Sequence, residues 1–160
     1  MKVAEIMTGD VKSCRPESNL AEAARMMWEN DCGCVPVVDD CGAVAGMITD
    51  RDICMAVATQ NRLASEITAG EIASPRVVAC TPDMAVTDAL SVMQKEQVRR
   101  LPVIDDGGKL VGILSISDVT LNSKKGESKR DKHVAHKDVV ATFKAISEPH
   151  APAPAEDTLT

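Results

Sequence analysis

Cys34-Val35-Pro36-Val37-Val38-Asp39-Asp40-Cys41-Gly42-Ala43-Val44-Ala45-Gly46-Met47-Ile48-Thr49-Asp50-Arg51-Asp52 is a stretch this chain writes twice. It returns as Arg100-Leu101-Pro102-Val103-Ile104-Asp105-Asp106-Gly107-Gly108-Lys109-Leu110-Val111-Gly112-Ile113-Leu114-Ser115-Ile116-Ser117-Asp118. In each copy a short apolar run (residues 35–38 and 101–104) meets an Asp-Asp turn closed by Gly. A second apolar run follows (44–48 and 110–114), and then a hydroxyl residue opens a helix. The pattern predicts a β-hairpin that feeds directly into a helix.

The likeness extends in the N-terminal direction. A shift of about 66 residues aligns 3–53 with 69–119 without a gap, with roughly a quarter of the positions identical, the mark of an internal duplication. Glu5-Ile6 falls on Glu71-Ile72, Val11 on Val77, Cys14 on Cys80, Pro16 on Pro82, Ala23 on Ala89 and Met27 on Met93. Residues 11–14 and 77–80 read as a first short strand stopped by proline. Asn19 is placed to cap the next helix, with Glu22 three residues on and Leu20, Ala23, Ala24 and Met27 on one face; Val86, Ala89, Leu90 and Met93 repeat that face.

Each unit therefore reads strand, helix, strand, strand, helix. A three-stranded sheet with one apolar helix face cannot bury itself, so the expected fold is α/β (α+β): two pseudo-symmetric β-α-β-β-α repeats packed sheet to sheet. Residues 1–60 form the first repeat and 61–122 the second, with 60–68 as the link. Residues 123–160 begin as a polar, basic linker, continue as a short amphipathic helix on Val139, Val140, Phe143 and Ile146, and end in a Pro-rich disordered tail. That helix is expected to dock on the module or on a second subunit.

Composition narrows the function. The chain has 160 residues, 44% apolar and 26% charged, with a formal net charge of −6. No apolar run reaches the ~18 residues of a membrane span, no secretory signal opens the chain, and a cytoplasmic protein without membrane insertion is expected. The acidic balance speaks against nucleic acid, whose only support is Lys124, Lys125, Lys129, Arg130 and Lys132 in the tail. One Trp, one Phe and no Tyr leave little for base stacking.

Six cysteines without a CxxC motif are expected as reduced core residues. A redox sensor on Cys14 and Cys80 is the competing reading. A metal sensor on Cys32-Gly33-Cys34 would have imidazole partners only from His133, His136 and His150, so no metal site is expected. No nucleophile with a base and no paired carboxylates across one pocket are found, so no catalysis and no catalytic residue are expected.

Two features can hold a ligand. Gly46 to Asp52 and Gly112 to Asp118 both have the form GxxT/SxxD at a strand-to-helix corner. A helix N-terminus presents unpaired N–H groups and positive dipole charge to a phosphate, and the acid one turn on can accept from ribose hydroxyls. Thr49 with Asp52, and Ser115 with Asp118, is equally the pattern of a capping box. The second feature is Arg99-Arg100, ahead of a buried strand where the first repeat has Gly33-Cys34; guanidinium groups suit phosphate.

With Glu5-Ile6-Met7-Thr8, Gly33-Cys34-Val35-Pro36-Val37-Val38-Asp39 and Arg99-Arg100-Leu101-Pro102-Val103-Ile104-Asp105, these corners make residues 3–121 resemble a tandem pair of cystathionine-β-synthase (CBS) domains, a Bateman module. The resemblance implies two clefts for an adenosine-type nucleotide: AMP, ADP, ATP or S-adenosylmethionine as regulatory ligand, with no required cofactor. Carried over by position, one cleft uses Met47, Thr49, Asp50, Arg51 and Asp52 with Thr68, Ala73, Val77, Arg99 and Arg100. The other uses Ile113, Ser115, Ser117 and Asp118 with Met7, Val11, Gly33 and Cys34. It further implies a homodimer and a separate, unidentified regulated protein.

Overall fold

The computed structural model describes residues 1–125 and 133–149. Its first repeat comprises α1 (Leu20–Glu29), β1 (Cys34–Val38), β2 (Val44–Thr49) and α2 (Asp50–Gln60). The second comprises a short α3 (Ala69–Ile72), then α4 (Val86–Glu96), β3 (Arg100–Ile104), β4 (Leu110–Ser115) and α5 (Ile116–Asn122), and α6 (His136–Ser147) follows. Most of the expected linker at 123–132 and the Pro-rich tail lie outside the described residues.

The two hairpins share one geometry because their turns share one device. The Asp39 carboxylate accepts from the N–H groups of Cys41 and Ala43, each at 2.9 Å, and Asp105 does the same with Gly107 and Lys109, each at 2.9 Å. Gly42 and Gly108 close the turns at φ +83° and +78°, where a Cβ would be strained. Both sheets are antiparallel pairs with equivalent registers, Val35 opposite Ile48 and Leu101 opposite Leu114.

The first strand of each repeat is shorter than expected. Only Cys14 and Cys80 pair, in parallel, with Val37 and Val103. Pro16 and Pro82 lack the N–H groups that would extend the ladder, and Val11 and Lys12 turn instead to line a cleft.

The predicted twofold relation is visible in the contacts. Ala43 and Lys109 occupy equivalent positions and bridge each other, which places the hairpin tips on the pseudo-twofold axis. Around it the repeats exchange their leading segments. Val3 is fully buried in the core of the second repeat, and its N–H donates to Met84 O at 2.9 Å. Ile67, in the stretch expected to be a plain link, is fully buried in the core of the first, and its carbonyl accepts from Leu20 N–H at 2.9 Å. Thr8 bridges Ile113 and, in equivalent positions, Ser74 bridges Met47.

This exchange explains the recurring glycine. A Cβ on Gly46 would stand 2.8 Å from both Ala73 Cβ and Ser74 O, and one on Gly112 would stand 2.7 Å from Met7 Sδ and 3.0 Å from Thr8 O. The clash at Gly46 is with backbone and a short side chain, whereas at Gly112 part of it is with a flexible methionine. Gly46→Ala is therefore expected to cost about 1–3 kcal/mol, the range for overpacking, and Gly112→Ala less. Urea unfolding of the two variants checks the order; equal midpoints would remove this account.

The repeats differ in how their helix faces are covered. On the second, α6 lies across α4 and α5, adding Val139 and Ile146 to the core, and Val134 just ahead of it adds a third side chain. Buried Thr142 accepts from Gln94 Nε2 at 2.8 Å and donates to Asp138 O at 2.8 Å. No described element covers α1 and α2 of the first repeat in the same way.

Candidate functional site

Both GxxT/SxxD corners are formed. Thr49 is the N-cap of α2: its hydroxyl accepts from Asp52 N–H at 3.2 Å and donates to Asp52 Oδ2 at 2.7 Å, and Thr49 N–H reaches the same oxygen at 2.8 Å. Ser115 repeats this on α5, at 3.2, 2.6 and 2.7 Å with Asp118. The capping box is thus real at both corners. It occupies one carboxylate oxygen; Oδ1 of Asp52 and of Asp118 makes no hydrogen bond among the described residues. Capping and ligand holding are compatible, because the cap fixes the acid at the cleft edge with one acceptor free.

The first corner opens on a cleft of about 810 Å³. It brings together Met47, Thr49, Asp50, Arg51, Asp52, Arg99 and Arg100, as the carried-over set requires. The other three members of that set lie elsewhere. Thr68 caps α3 and binds Glu71, Ala73 packs against Gly46, and Val77 does not reach the lining; Ser74, Arg76 and Val78 are there instead. The exchanged segment is extended here, so its alternate residues, rather than Val77, point inward. Gln97, Val98 and Pro102 complete the wall, and Ile146, Ser147 and Glu148 from the end of α6 form a side of the cleft. Four arginines (51, 76, 99 and 100) thus face Asp50, Asp52 and Glu148. Arg76 pairs with Glu96 at 2.6 Å, while the side chains of Arg51, Arg99 and Arg100 make no salt bridge among the described residues.

The second corner opens on a smaller cleft of about 410 Å³ lined by Ile113, Ser115, Ser117, Asp118, Val11, Gly33 and Cys34, with Thr8, Asp10, Lys12, Asn30, Asp31, Cys32 and Arg100. Met7 is absent from this lining because its sulfur sits against Gly112. Three aspartates here oppose only Lys12 and Arg100, so the two clefts differ in the sign of their charge. Arg100 lines both, a role that alignment alone does not show, since it assigns both arginines to the first cleft. The repeat does carry a signal for Thr8 and Ser74, which are equivalent hydroxyl residues at equivalent bridges; nothing in the sequence points to Ile146–Glu148 numerically or chemically.

The cysteines divide by burial. Cys14, Cys34 and Cys80 are buried, while Cys32, Cys41 and Cys54 are exposed. Burial raises the Cys14 thiol above its ordinary value and pushes Cys80 up to about 11; it pushes Cys34 to about 11 as well, against the opposing charge of Arg100. Cys14 and Cys80, the pair of the redox reading, therefore have the opposite of a reactive environment.

A thiol whose pKa is raised by folding contributes stability below its unfolded value, and this is lost as pH rises through the folded one. Native stability is expected to fall between about pH 9 and 11 through these groups. Thiol titration of the native protein at pH 8 is expected to find three fast groups, with the other three reacting only on unfolding. The absence of Tyr keeps the thiolate absorbance free of phenolate background.

A twofold α/β duplication with a cleft at each strand-to-helix corner, walled by the other repeat's leading segment, defines a class of paired-repeat modules. The chain belongs to the CBS domain family: its model matches residues 3–59 and 69–124. Hypoxic response protein 1 of Mycobacterium tuberculosis is 32% identical over 147 residues, 92% of this chain and 94% of that protein. A crystal structure of Hypoxic Response Protein I with two coordinated zinc ions has a TM-score of 0.70 to this chain at 32% identity, covering 76% of this chain and 98% of that one. The CBS domain pair of protein MJ0100, in complex with 5-methylthioadenosine and S-adenosyl-L-methionine, has a TM-score of 0.69 at 26% identity, covering 76% and 94%. CBSX2 in complex with AMP has a TM-score of 0.66 at 26% identity, covering 75% and 93%.

Proposed function

We propose that this CBS domain pair is a non-catalytic regulatory module that binds an adenosine-type nucleotide and signals its presence to a separate protein. The observation that carries the reading is the first cleft, where the capped N-terminus of α2 and the unpaired Arg51, Arg99 and Arg100 surround one space of nucleotide size. Asp52 supplies a fixed acceptor for ribose hydroxyls. AMP, ADP or ATP fits that charge; the second cleft, with its three aspartates, favours an uncharged adenosyl group or a cationic S-adenosylmethionine. The ligands held by MJ0100 and CBSX2 support the same ligand class.

Because each cleft joins a corner of one repeat to the leading segment of the other, a ligand favours one angle between repeats, and a partner that reads this angle responds by population shift. Asp52 and Asp118 belong to separate clefts, which leaves no acid–base pair across one site. The zinc ions coordinated in the Hypoxic Response Protein I structure raise a metal-sensing alternative; among the described residues of this chain no group of three or more His, Cys, Asp or Glu is placed to hold a metal.

Calorimetric titration with AMP, ADP, ATP and S-adenosylmethionine tests the proposal. Asp52→Ala is expected to remove the phosphate-preferring site and Asp118→Ala to leave it. No heat and no thermal shift with any of the four at millimolar concentration would overturn it.

A further inference from the structure

The second repeat shows what the place of Cys32 ordinarily does. There α4 ends in a left-handed Gln97 (φ +52°), and Val98 after it donates its N–H to Met93 O at 3.1 Å and packs against the core. In the first repeat α1 ends the same way, on Asp31 (φ +48°), with Cys32 N–H donating to Met27 O at 3.0 Å. This kind of helix stop favours an apolar residue folded back on the last turn, as Val98 is. Cys32 is exposed instead, so packing does not account for it.

Two residues on, Cys34 opens β1 and is buried. Gly33 between them forms a bend, held by its carbonyl, which accepts from Asp50 N–H at 3.2 Å. In a straight strand the two Cα atoms would stand about 6.6 Å apart, near the upper end of the ~4.4–6.8 Å that a disulfide spans, and a bend shortens that separation. A Cβ on Gly33 would stand 3.1 Å from Asp50 Oδ2 and 3.4 Å from Arg100 Nη2, so the glycine keeps this corner open. Both cysteines line the second cleft, and their side chains share its space.

We propose that Cys32 and Cys34 form a redox-modification site, a dithiol that a small-molecule disulfide oxidises to an intramolecular bridge in the wall of the second cleft. The exposed Cys32 attacks one sulfur of the small disulfide as thiolate, forming a mixed disulfide and expelling one thiolate. Cys34 then attacks the Cys32 sulfur and expels the second. Two electrons pass to the small disulfide, and the two cysteine protons end on the two thiols it releases. Burial keeps Cys34 from outside reagents, but its reaction with Cys32 is intramolecular, and the charge of Arg100 favours its thiolate. An accessible thiol beside a resolving one is the arrangement of reversible redox sensors.

The bridge draws on two anchored points, the stop of α1 and the start of β1, and Arg100 beside them lines both clefts. The oxidised chain is therefore expected to lose its second-cleft ligand. This consequence rests on the proposed nucleotide reading; the dithiol stands without it.

The full chain carrying Cys41→Ser and Cys54→Ser, both at exposed positions, keeps Cys32 as its single exposed thiol and tests the bridge. After oxidised glutathione and trypsin, its fragment 26–51 is expected to be lighter by two hydrogens, and dithiothreitol to restore it. In that background Cys34→Ser should stop at the glutathione adduct of Cys32, and Cys32→Ser should leave the fragment unchanged. A fragment that keeps the adduct with Cys34 present, or that is not modified at all, would overturn the dithiol. Calorimetry with S-adenosylmethionine, on the same chain with Asp52→Ala to silence the first cleft, is expected to show binding to the reduced form and none to the oxidised. Equal binding to both forms would overturn the gating alone. Binding to neither would overturn the reading of the second cleft while the mass result stands.

Discussion

Alanine at both Arg99 and Arg100 is expected to abolish measurable phosphate-nucleotide binding in the first cleft, and the single variants are expected to differ in kind. A charge-assisted hydrogen bond contributes about 1.5–3 kcal/mol, roughly a tenfold to hundredfold change in affinity for each arginine that reaches phosphate. Arg99 lines only the first cleft, while Arg100 lines both. Arg99→Ala should therefore weaken AMP, ADP or ATP at one site and leave any second-site ligand untouched, whereas Arg100→Ala should alter both.

The salt dependence sharpens the test. The side chains of Arg51, Arg99 and Arg100 have no salt-bridge partner to lose among the described residues, so added salt should weaken nucleotide binding without lowering stability. A phosphate affinity unchanged in Arg99→Ala, measured by calorimetry, would mean that the guanidinium faces solvent and that the helix N-terminus carries the site.

How much of this was legible beforehand varies with the kind of residue. The duplication, the four hairpin strands, the Asn19 cap and the apolar faces of α1 and α4 follow from local pattern, because hairpins and amphipathic helices are set by neighbours in sequence. The exchange of leading segments does not. Val3 aligns with the first repeat yet is buried in the second, and no periodicity in a seven-residue segment says which core it will join. The glycines at 46 and 112 are the trace of that exchange: a residue without a Cβ permits a close backbone approach, though it does not name the backbone that approaches.

Site residues divide in the same way. Thr49, Asp52, Ser115 and Asp118 are visible because one chemical pattern stands at two symmetric corners. Ala73, Val77 and Met7 stand next to residues that line the clefts, Ser74, Arg76, Val78 and Thr8, while Thr68 lies apart as the cap of α3. Where an extended segment alternates its sides, a shift of one residue exchanges cleft for core. Ile146 and Glu148 were beyond reach, since amphipathicity foretells that α6 docks but not where it ends.

Removing residues 133–160 is expected to unfold the second repeat. Val134, Val139 and Ile146 are buried in its core, and at ~1.5–3 kcal/mol for each buried aliphatic side chain their loss approaches the ~5–15 kcal/mol that stabilises a whole domain. Leu90, Met93 and Val119 would become exposed where α6 lay. The deleted chain should bind a hydrophobic dye and keep one cooperative melt, that of the first repeat, whose core contains no α6 residue.

Ile146→Ala is the gentler form, expected to cost about 2–5 kcal/mol. It also separates packing from signalling, because Ile146, Ser147 and Glu148 wall the first cleft while Gln97 Nε2 donates to Ala145 O and Glu148 O, each at 3.2 Å. On the proposed reading, a nucleotide filling that cleft would meet the end of α6, and binding and helix docking would then act on each other reciprocally. At a hundredfold excess over its dissociation constant a nucleotide adds about 2.7 kcal/mol to the native state. In Ile146→Ala that gain should shrink, since part of the wall is no longer held in place. An undiminished gain in the thermal shift would show α6 to be a structural strap with no part in the cleft.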